Sequence, residues 1–281
     1  MRLLCLAVLA LFAAASAGAQ TLDRIRKKGE IAIGYIEGAA PFSYLDANGE
    51  PQGYSVELCR AVADGIAGQL KRESLKIRWV KLTIQNRIEA VRKGQADIEC
   101  STTTWTLSRQ SLVDFSLVTF VDGGSLLVGA QSNIAQLRDL EGKRVAVITG
   151  TTTDKALREA LERRMVKAEV VSIKTRDEGL GMLSKGEIQA LASDRTALIG
   201  LVVMSSEARG SFRLLDQDFS IEQYALVLRR GDYDFRLAVN RVLARVYRSG
   251  EIEKIYARWL GPLGPPSVLL SATYYIQAIS E

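Results

Sequence analysis

Twice in this chain an apolar, strand-like run ends in a cluster of threonines, and that doubled arrangement constrains the fold more than any other feature. The first run, Ala96-Asp97-Ile98-Glu99-Cys100, passes into Ser101-Thr102-Thr103-Thr104, with Arg109 a little further on. The second, Val145-Ala146-Val147-Ile148, passes into Thr149-Gly150-Thr151-Thr152-Thr153-Asp154. Each reads as a strand that delivers hydroxyls and unpaired backbone N–H groups to a helix start, where the helix dipole favours an anion. Together they predict one site built from two halves. Neither junction has a catalytic partner nearby, so the pattern points to capture of a small acid rather than its conversion.

Strand-like and helix-like segments alternate along nearly the whole chain, which predicts an α/β architecture with central sheets. Strands are expected at Glu30 to Gly34, Lys76 to Leu82, Val170 to Ile173 and Ile188 to Ala192. Ser55 reads as the cap of a helix whose Cys59, Val62, Ile66 and Leu70 recur at helical spacing. Helices are also expected over Asp154 to Arg164, Asp177 to Lys185, Asp232 to Arg248 and Glu251 to Trp259, while the tail after Pro266 has no clear pattern. Two strand–turn–helix units with a late return to the first imply two crossing strands that act as a hinge; Ser125 to Val128 and Tyr224 to Leu228 are the candidates. Ligands of open α/β sheets sit at the carboxyl ends of strands, where both threonine clusters fall.

Met1-Arg2, an apolar run through Ala15 and the small residues Ser16-Ala17-Gly18-Ala19 have the form of a cleavable export leader. The expected organisation is therefore a leader over 1–19, a first lobe from 20–124 and 224–281, and a second lobe from 125–223. The chain carries a net charge of +5, with Lys and Arg scattered among Asp and Glu. A nucleic-acid-binding protein would concentrate such charge in a stripe with aromatics, so no nucleic-acid partner is expected. There is no histidine, which removes His-dependent triads and the usual zinc sites; neither metal nor cofactor is expected. Past the leader, Cys59 and Cys100 remain, an even pair that reads either as a disulfide of an exported protein or as two buried thiols.

Gly34 through Pro41-Phe42, Gly53-Tyr54-Ser55, Gln85-Asn86-Arg87-Ile88, Asp97 to Thr103, Arg109-Gln110, Asp114-Phe115-Ser116, Gly150-Thr151-Thr152 and Gly186 to Asp194 form an ordered set. This set resembles family 3 solute-binding proteins, the periplasmic receptors of polar amino acid ABC importers. The Gln-Asn-Arg-Ile and Glu-Cys-Ser-Thr-Thr runs look most like the glutamate/aspartate-binding branch. The resemblance implies a two-lobed type II binding-protein fold that closes over an amino acid. It implies that Arg109 grips the ligand's α-carboxylate, helped by Thr102 and Thr104 from one lobe and Thr151 and Thr152 from the other. Asp194 matches the acid that takes the α-ammonium.

Two departures from that branch bear on specificity. Ile36 stands where an Arg binds the side-chain carboxylate, and Arg176 stands where a His assists it. Arg176 could serve for both and keep an acidic ligand; alternatively, Ile36 and Ala39 make an apolar pocket, and Glu37 or Glu178 repels a dicarboxylate. Tyr35 and Phe42 could wall the ligand or belong to the core. The same fold carries dehydratases of cyclic carboxylic acids, which would need a tuned acid or base such as Glu37 or Glu178; a ligand-sensing module is a third class. The leading expectation is an exported, periplasmic, monomeric binding protein with no chemistry, whose partners are a small amino acid and a membrane permease.

Overall fold

A computed structural model describes residues 20–205 and 210–280; the expected leader lies outside the described residues. Eight strands form one continuous curled sheet in the order Lys76–Leu82, Glu30–Ile36, Ile98–Glu99, Ser220–Arg229, Val113–Gly129, Ala190–Asp194, Arg144–Ile148, Glu169–Ile173, and Phe212–Leu214 adds a ninth beside Val113–Gly129. Helices pack on both faces, giving a two-lobed α/β fold. We label the long strand Val113–Gly129 βA and its partner Ser220–Arg229 βB.

βA and βB run antiparallel from Val113 opposite Arg229 to Gly124 opposite Ser220. At Gly124 the long strand changes neighbour and pairs with Ala190–Asp194 as far as Val128. Along this order three strands hang from βB on one side and three from βA on the other, with Phe212–Leu214 as a further partner of βA. The passage between the two halves therefore lies on the Phe120–Gly124 and Ser220–Tyr224 stretches. Ser125 to Val128 is already paired within one half, and Leu228 pairs with Ile98 in the other. The candidates Ser125 to Val128 and Tyr224 to Leu228 lie on the two strands that cross, and the pairing puts the passage just before them on each strand, since strand propensity does not mark where a strand changes partners.

Each half owns its core. Ile33, Phe42, Tyr54, Leu58, Val62 and Ile66 pack with Phe235, Val239 and Val242 of the late helix Tyr233–Arg248 in one half. In the other, Leu126, Val145, Val147, Leu157 and Ala192 cover one sheet face, while Leu127, Ile148, Leu180 and Leu198 cover the opposite face. Phe42 is fully buried against Tyr54, Phe120 and Tyr224, so it belongs to the core and does not wall the cleft.

The helix Tyr54–Gln69 starts without the expected cap. Gly53 occupies the N-cap position at φ 122°, and a Cβ there would meet the Phe42 carbonyl oxygen at 2.4 Å, so glycine is required. The Ser55 hydroxyl, freed from capping, donates to the Ser101 carbonyl at 2.9 Å and ties this helix to the first threonine cluster. A disulfide between Cys59 and Cys100, with Cα atoms 6.3 Å apart, joins the same two segments.

The tail beyond Pro266 is a helix, Val268–Ile276, capped by the Ser267 hydroxyl. It packs on the crossing region: the Tyr274 hydroxyl lies 2.6 Å from that of Tyr54 and donates to the Thr119 carbonyl at 3.1 Å. Gln277 adds a two-way clamp on Val118, accepting from its N–H at 2.7 Å and donating to its carbonyl at 2.9 Å. Replacing a buried aromatic by alanine costs about 3–5 kcal/mol. Tyr274→Ala should therefore lower the urea-unfolding free energy by that order, while Tyr274→Phe should lose only the hydroxyl's share.

Candidate functional site

The two threonine clusters meet. The helix Thr152–Arg163 begins at the second cluster, and the Thr151 hydroxyl caps it, accepting from the Asp154 N–H at 3.1 Å and donating to the Ile148 carbonyl at 2.8 Å. That hydroxyl is committed to its own turn. The next one, on Thr152, crosses the cleft and lies 3.1 Å from the Thr104 hydroxyl.

The first cluster does not open a helix. Trp105 N–H donates to the Gln223 carbonyl at 2.7 Å, Ala225 N–H donates to the Thr103 carbonyl at 3.1 Å, and Thr104 forms an isolated bridge to Tyr224. The segment is therefore stitched to βB as extended chain. The following helix, Leu107–Gln110, is a single turn capped by Thr106, whose hydroxyl accepts from the Arg109 N–H. The expected helix dipole is absent at this junction, and Arg109 supplies positive charge directly. Its guanidinium turns inward and donates to the Thr104 carbonyl at 2.8 Å. Burial, then the neighbouring Arg87 charge, push its pKa down to about 10, which leaves it protonated at neutral pH.

Between the clusters lies a cleft with a cavity volume of about 10 Å³, lined by Thr102, Thr104, Thr151, Thr152, Arg176 and Asp194 together with Ile84, Arg87, Ile148, Thr153, Ala192 and Ser193. Room on that scale holds about one water, so the two sides must part to admit anything larger. Arg176 is buried; its Nε donates to the Ser193 hydroxyl at 2.8 Å and its Nη2 lies 3.8 Å from the Asp194 carboxylate. Asp194 ends its strand and stands at the N-cap position of the next helix, Arg195–Met204, yet its side chain makes no cap bond. It accepts instead from the Thr153 hydroxyl and the Tyr224 hydroxyl, each at 2.7 Å. Asp122 on βA performs the capping, accepting from the Thr196 N–H at 3.1 Å.

Tyr224 also lies 3.2 Å from Asp122, and one phenolic proton cannot serve two carboxylates. Burial and the Asp194 charge push the Asp122 pKa up to about 7, so its own proton can complete that second contact.

Three participants had no role assigned from the sequence, although Arg87 and Glu99 fall in the two runs that resemble the glutamate/aspartate branch. Arg87 is buried beside the cleft; desolvation lowers its pKa, opposed by the charges of Glu99 and Asp194. Glu99 is fully buried with no hydrogen bond to either carboxylate oxygen, and desolvation raises its pKa against the pull of Arg87. Glu222 on βB accepts from Thr104, Thr152 and Ser220 at 2.7, 2.6 and 2.7 Å. Arg87 left one trace, an arginine in a short segment just before the first cluster. Glu222 left none.

Ile36 sits apart from these groups. Its side chain joins the core cluster around Leu82 and Ala90 and lines an outer cavity of about 400 Å³ at the cleft mouth. That cavity shares Ile84 and Arg176 with the inner cleft. Glu37 faces the outer cavity, where Lys81 holds it at 2.7 Å, and the exposed Glu178 accepts from the Lys174 N–H at its own helix start. Neither carboxylate enters the inner cleft, which removes both candidate acid–base groups from its lining. Among the described residues no cluster of three metal-ligating side chains occurs, and no helix is long and apolar enough to cross a membrane.

A family model for bacterial extracellular solute-binding proteins, family 3, matches residues 31–262. The chain is 34% identical over 250 residues to an L-glutamate/L-aspartate-binding protein of Pseudomonas aeruginosa, covering 89% of this chain and 82% of that one. It is 31% identical over 255 residues to a glutamate/aspartate import solute-binding protein of Salmonella typhimurium, covering 91% and 84%. Among solved structures, an ancestral amino acid-binding protein described as a precursor of cyclohexadienyl dehydratase superimposes with a TM-score of 0.73 at 27% identity, covering 85% of this chain and 99% of that one. With a cleft built from two facing threonine clusters and buried guanidiniums on the same fold, this chain belongs to family 3 of the bacterial extracellular solute-binding proteins.

Proposed function

We infer that this protein is the periplasmic receptor of an amino acid ABC importer and binds glutamate or aspartate by closing its two lobes, without transforming the ligand. The observation that carries this reading is the charge around one cleft. Arg87 and Arg176 line it, and Arg109 lies directly behind Thr104. Arg87 makes no hydrogen bond to Glu99 and Arg176 stands 3.8 Å from Asp194, so neither guanidinium is locked in a bidentate pair and both keep donors for a side-chain carboxylate beside the α-carboxylate. Asp194, presented by two hydroxyls, suits the α-ammonium. The relatives that bind glutamate and aspartate support the same choice.

In this reading Arg109, Thr102 and Thr104 receive the α-carboxylate, Thr152 and the backbone around Thr151 reach it on closure, and Arg176 with Arg87 faces the side-chain carboxylate. Ile36 then borders the outer cavity and leaves the distal charge to those two arginines. The lobes on this reading are 20–124 with 224–281 and 125–223, after removal of the leader. A membrane permease is the partner that would read the closed surface. Ligand drives closure only through its higher affinity for the closed form.

Isothermal calorimetry of protein unfolded, stripped and refolded, against a panel of amino acids, tests the reading. Glutamate and aspartate should bind and neutral or basic amino acids should not; capture of arginine or of apolar residues alone would overturn it. Removing one partner of a desolvated charge pair costs about 2–5 kcal/mol, so Arg109→Ala should all but abolish binding, and Arg176→Ala should weaken acidic ligands most. Closure has its own test at Gly200. A Cβ on this helical glycine would lie 2.1 Å from the Ala40 carbonyl oxygen in the opposite half. Because alanine favours the helix by about 1 kcal/mol, Gly200→Ala should fold normally. It should nevertheless scatter X-rays as a more open molecule and bind roughly tenfold more weakly or worse, since the competent form is depopulated.

A further inference from the structure

The hydroxyl protons expected to greet the ligand's α-carboxylate are already spent. Thr104 and Thr152, one from each side of the cleft, both donate to the same oxygen of Glu222, at 2.7 and 2.6 Å, and Ser220 donates to the other oxygen at 2.7 Å. A hydroxyl has one proton to give. Glu222 is 2% exposed and stands on the crossing strand βB, so its carboxylate reaches both jaws at once.

The charges around it favour an exchange. Asp194, ending the strand on the far side of βA, repels Glu222, and Arg109 behind Thr104 attracts it. Asp122 stands directly opposite on βA, and Arg87 and Arg176 lie further along the same cleft. Burial first, then Asp194, already raises the Glu222 carboxyl above its ordinary range. A second carboxylate brought against the same hydroxyls would raise it further, because like charges in one site cannot both stay ionised cheaply.

We propose that Glu222 is a tethered carboxylate that competes with the ligand's carboxylate for Thr104 and Thr152, and that ligand entry transfers one proton from solvent to Glu222 as it yields those donors. This rests on the reading of the cleft as an amino acid site. Two consequences follow from it. Binding takes up a proton and therefore tightens as pH falls from alkaline values toward the raised carboxyl range. Before ligand arrives, Glu222 pins the two jaws together.

Calorimetric titration of glutamate in buffers of different ionisation enthalpy measures the proton directly. The wild type should show uptake approaching one proton per ligand. Glu222→Gln should show almost none and, at slightly alkaline pH, should bind about fivefold more tightly, the low end of ordinary coupling between sites. A wild-type enthalpy that does not change with buffer, or a Glu222→Gln variant that binds equally well or more weakly, overturns the proposal; weaker binding would make Glu222 a direct ligand of the ammonium. Small-angle scattering on ligand-stripped protein tests the pinning without any ligand. Glu222→Ala should be more open than the wild type, and identical profiles would overturn the pinning. If no amino acid in the panel binds the wild type, the functional reading fails, and scattering still decides whether Glu222 holds the jaws.

Discussion

The antiparallel ladder between Val113–Gly129 and Ser220–Arg229 is the constraint on which the rest of the molecule depends. Because it runs from one half into the other, with register shifts only between Tyr224 and Val227, whatever side chains it carries at the crossing are buried by both halves. Side chains alternate along a strand and face their cross-strand partners. Glu222 and Tyr224 therefore share a face, and Asp122 stands opposite Glu222 on that face. Asp194 arrives beside them because its strand pairs with the far end of the long one, Gly124 opposite Asp194. Register alone thus brings Asp194 into the field of both Asp122 and Glu222.

Such a group is costly to bury unless each charge is paired or neutralised. The chain answers mainly with hydroxyls. Thr104, Thr152 and Ser220 serve Glu222, Thr153 and Tyr224 serve Asp194, and Thr196 serves Asp122. Asp122, pushed up to about 7, escapes part of the charge by holding a proton. The cations sit one layer away: Arg87 and Arg109 against the otherwise unpartnered Glu99, and Arg176 at the long distance of 3.8 Å from Asp194. Hydroxyl donors reorient at little cost, whereas a bidentate guanidinium pair would lock the same carboxylates in place. A cleft that must exchange partners is better built from the former.

Much of this arrangement was legible where the cause is local. The helices Glu251–Trp259 and Tyr233–Arg248 and the strand Lys76–Leu82 follow from periodicity and local start signals, and the second threonine cluster starts a helix because Thr151 caps it within three residues. Reading failed where the cause is distant. Thr104 looked like part of a helix start, but a bridge to Tyr224 holds it extended, and nothing within a dozen residues announces that bridge. Ser55 looked like a cap, but the close approach of Gly53 to Phe42 takes that position. Glu222 sits in an ordinary extended run, and the two donors that make it a cleft residue lie 118 and 70 positions away. The tail helix was hidden behind Gly264-Pro265-Pro266, since its anchoring partners, Tyr54 and Thr119, belong to remote segments.

The two jaws are prepared unequally, and that asymmetry gives the order of events on the proposed reading. On the first side, the Cys59–Cys100 bridge, the Ser55 bond to Ser101 and the stitching of Thr103 to Ala225 fix the cluster before any ligand arrives. Arg109 is held by Thr104 in the same way. On the second side, the cluster is organised chiefly by its own helix cap and by Thr153 on Asp194. Ordering entropy spent in folding is not spent again in binding, so a rigid surface captures a small ion at lower cost than a loose one. The first jaw is therefore the natural landing surface. The second must first part from Glu222, which holds its Thr152 hydroxyl, and it offers that hydroxyl to the ligand on re-closure, when water leaves and each remaining charge contact strengthens in the drier medium.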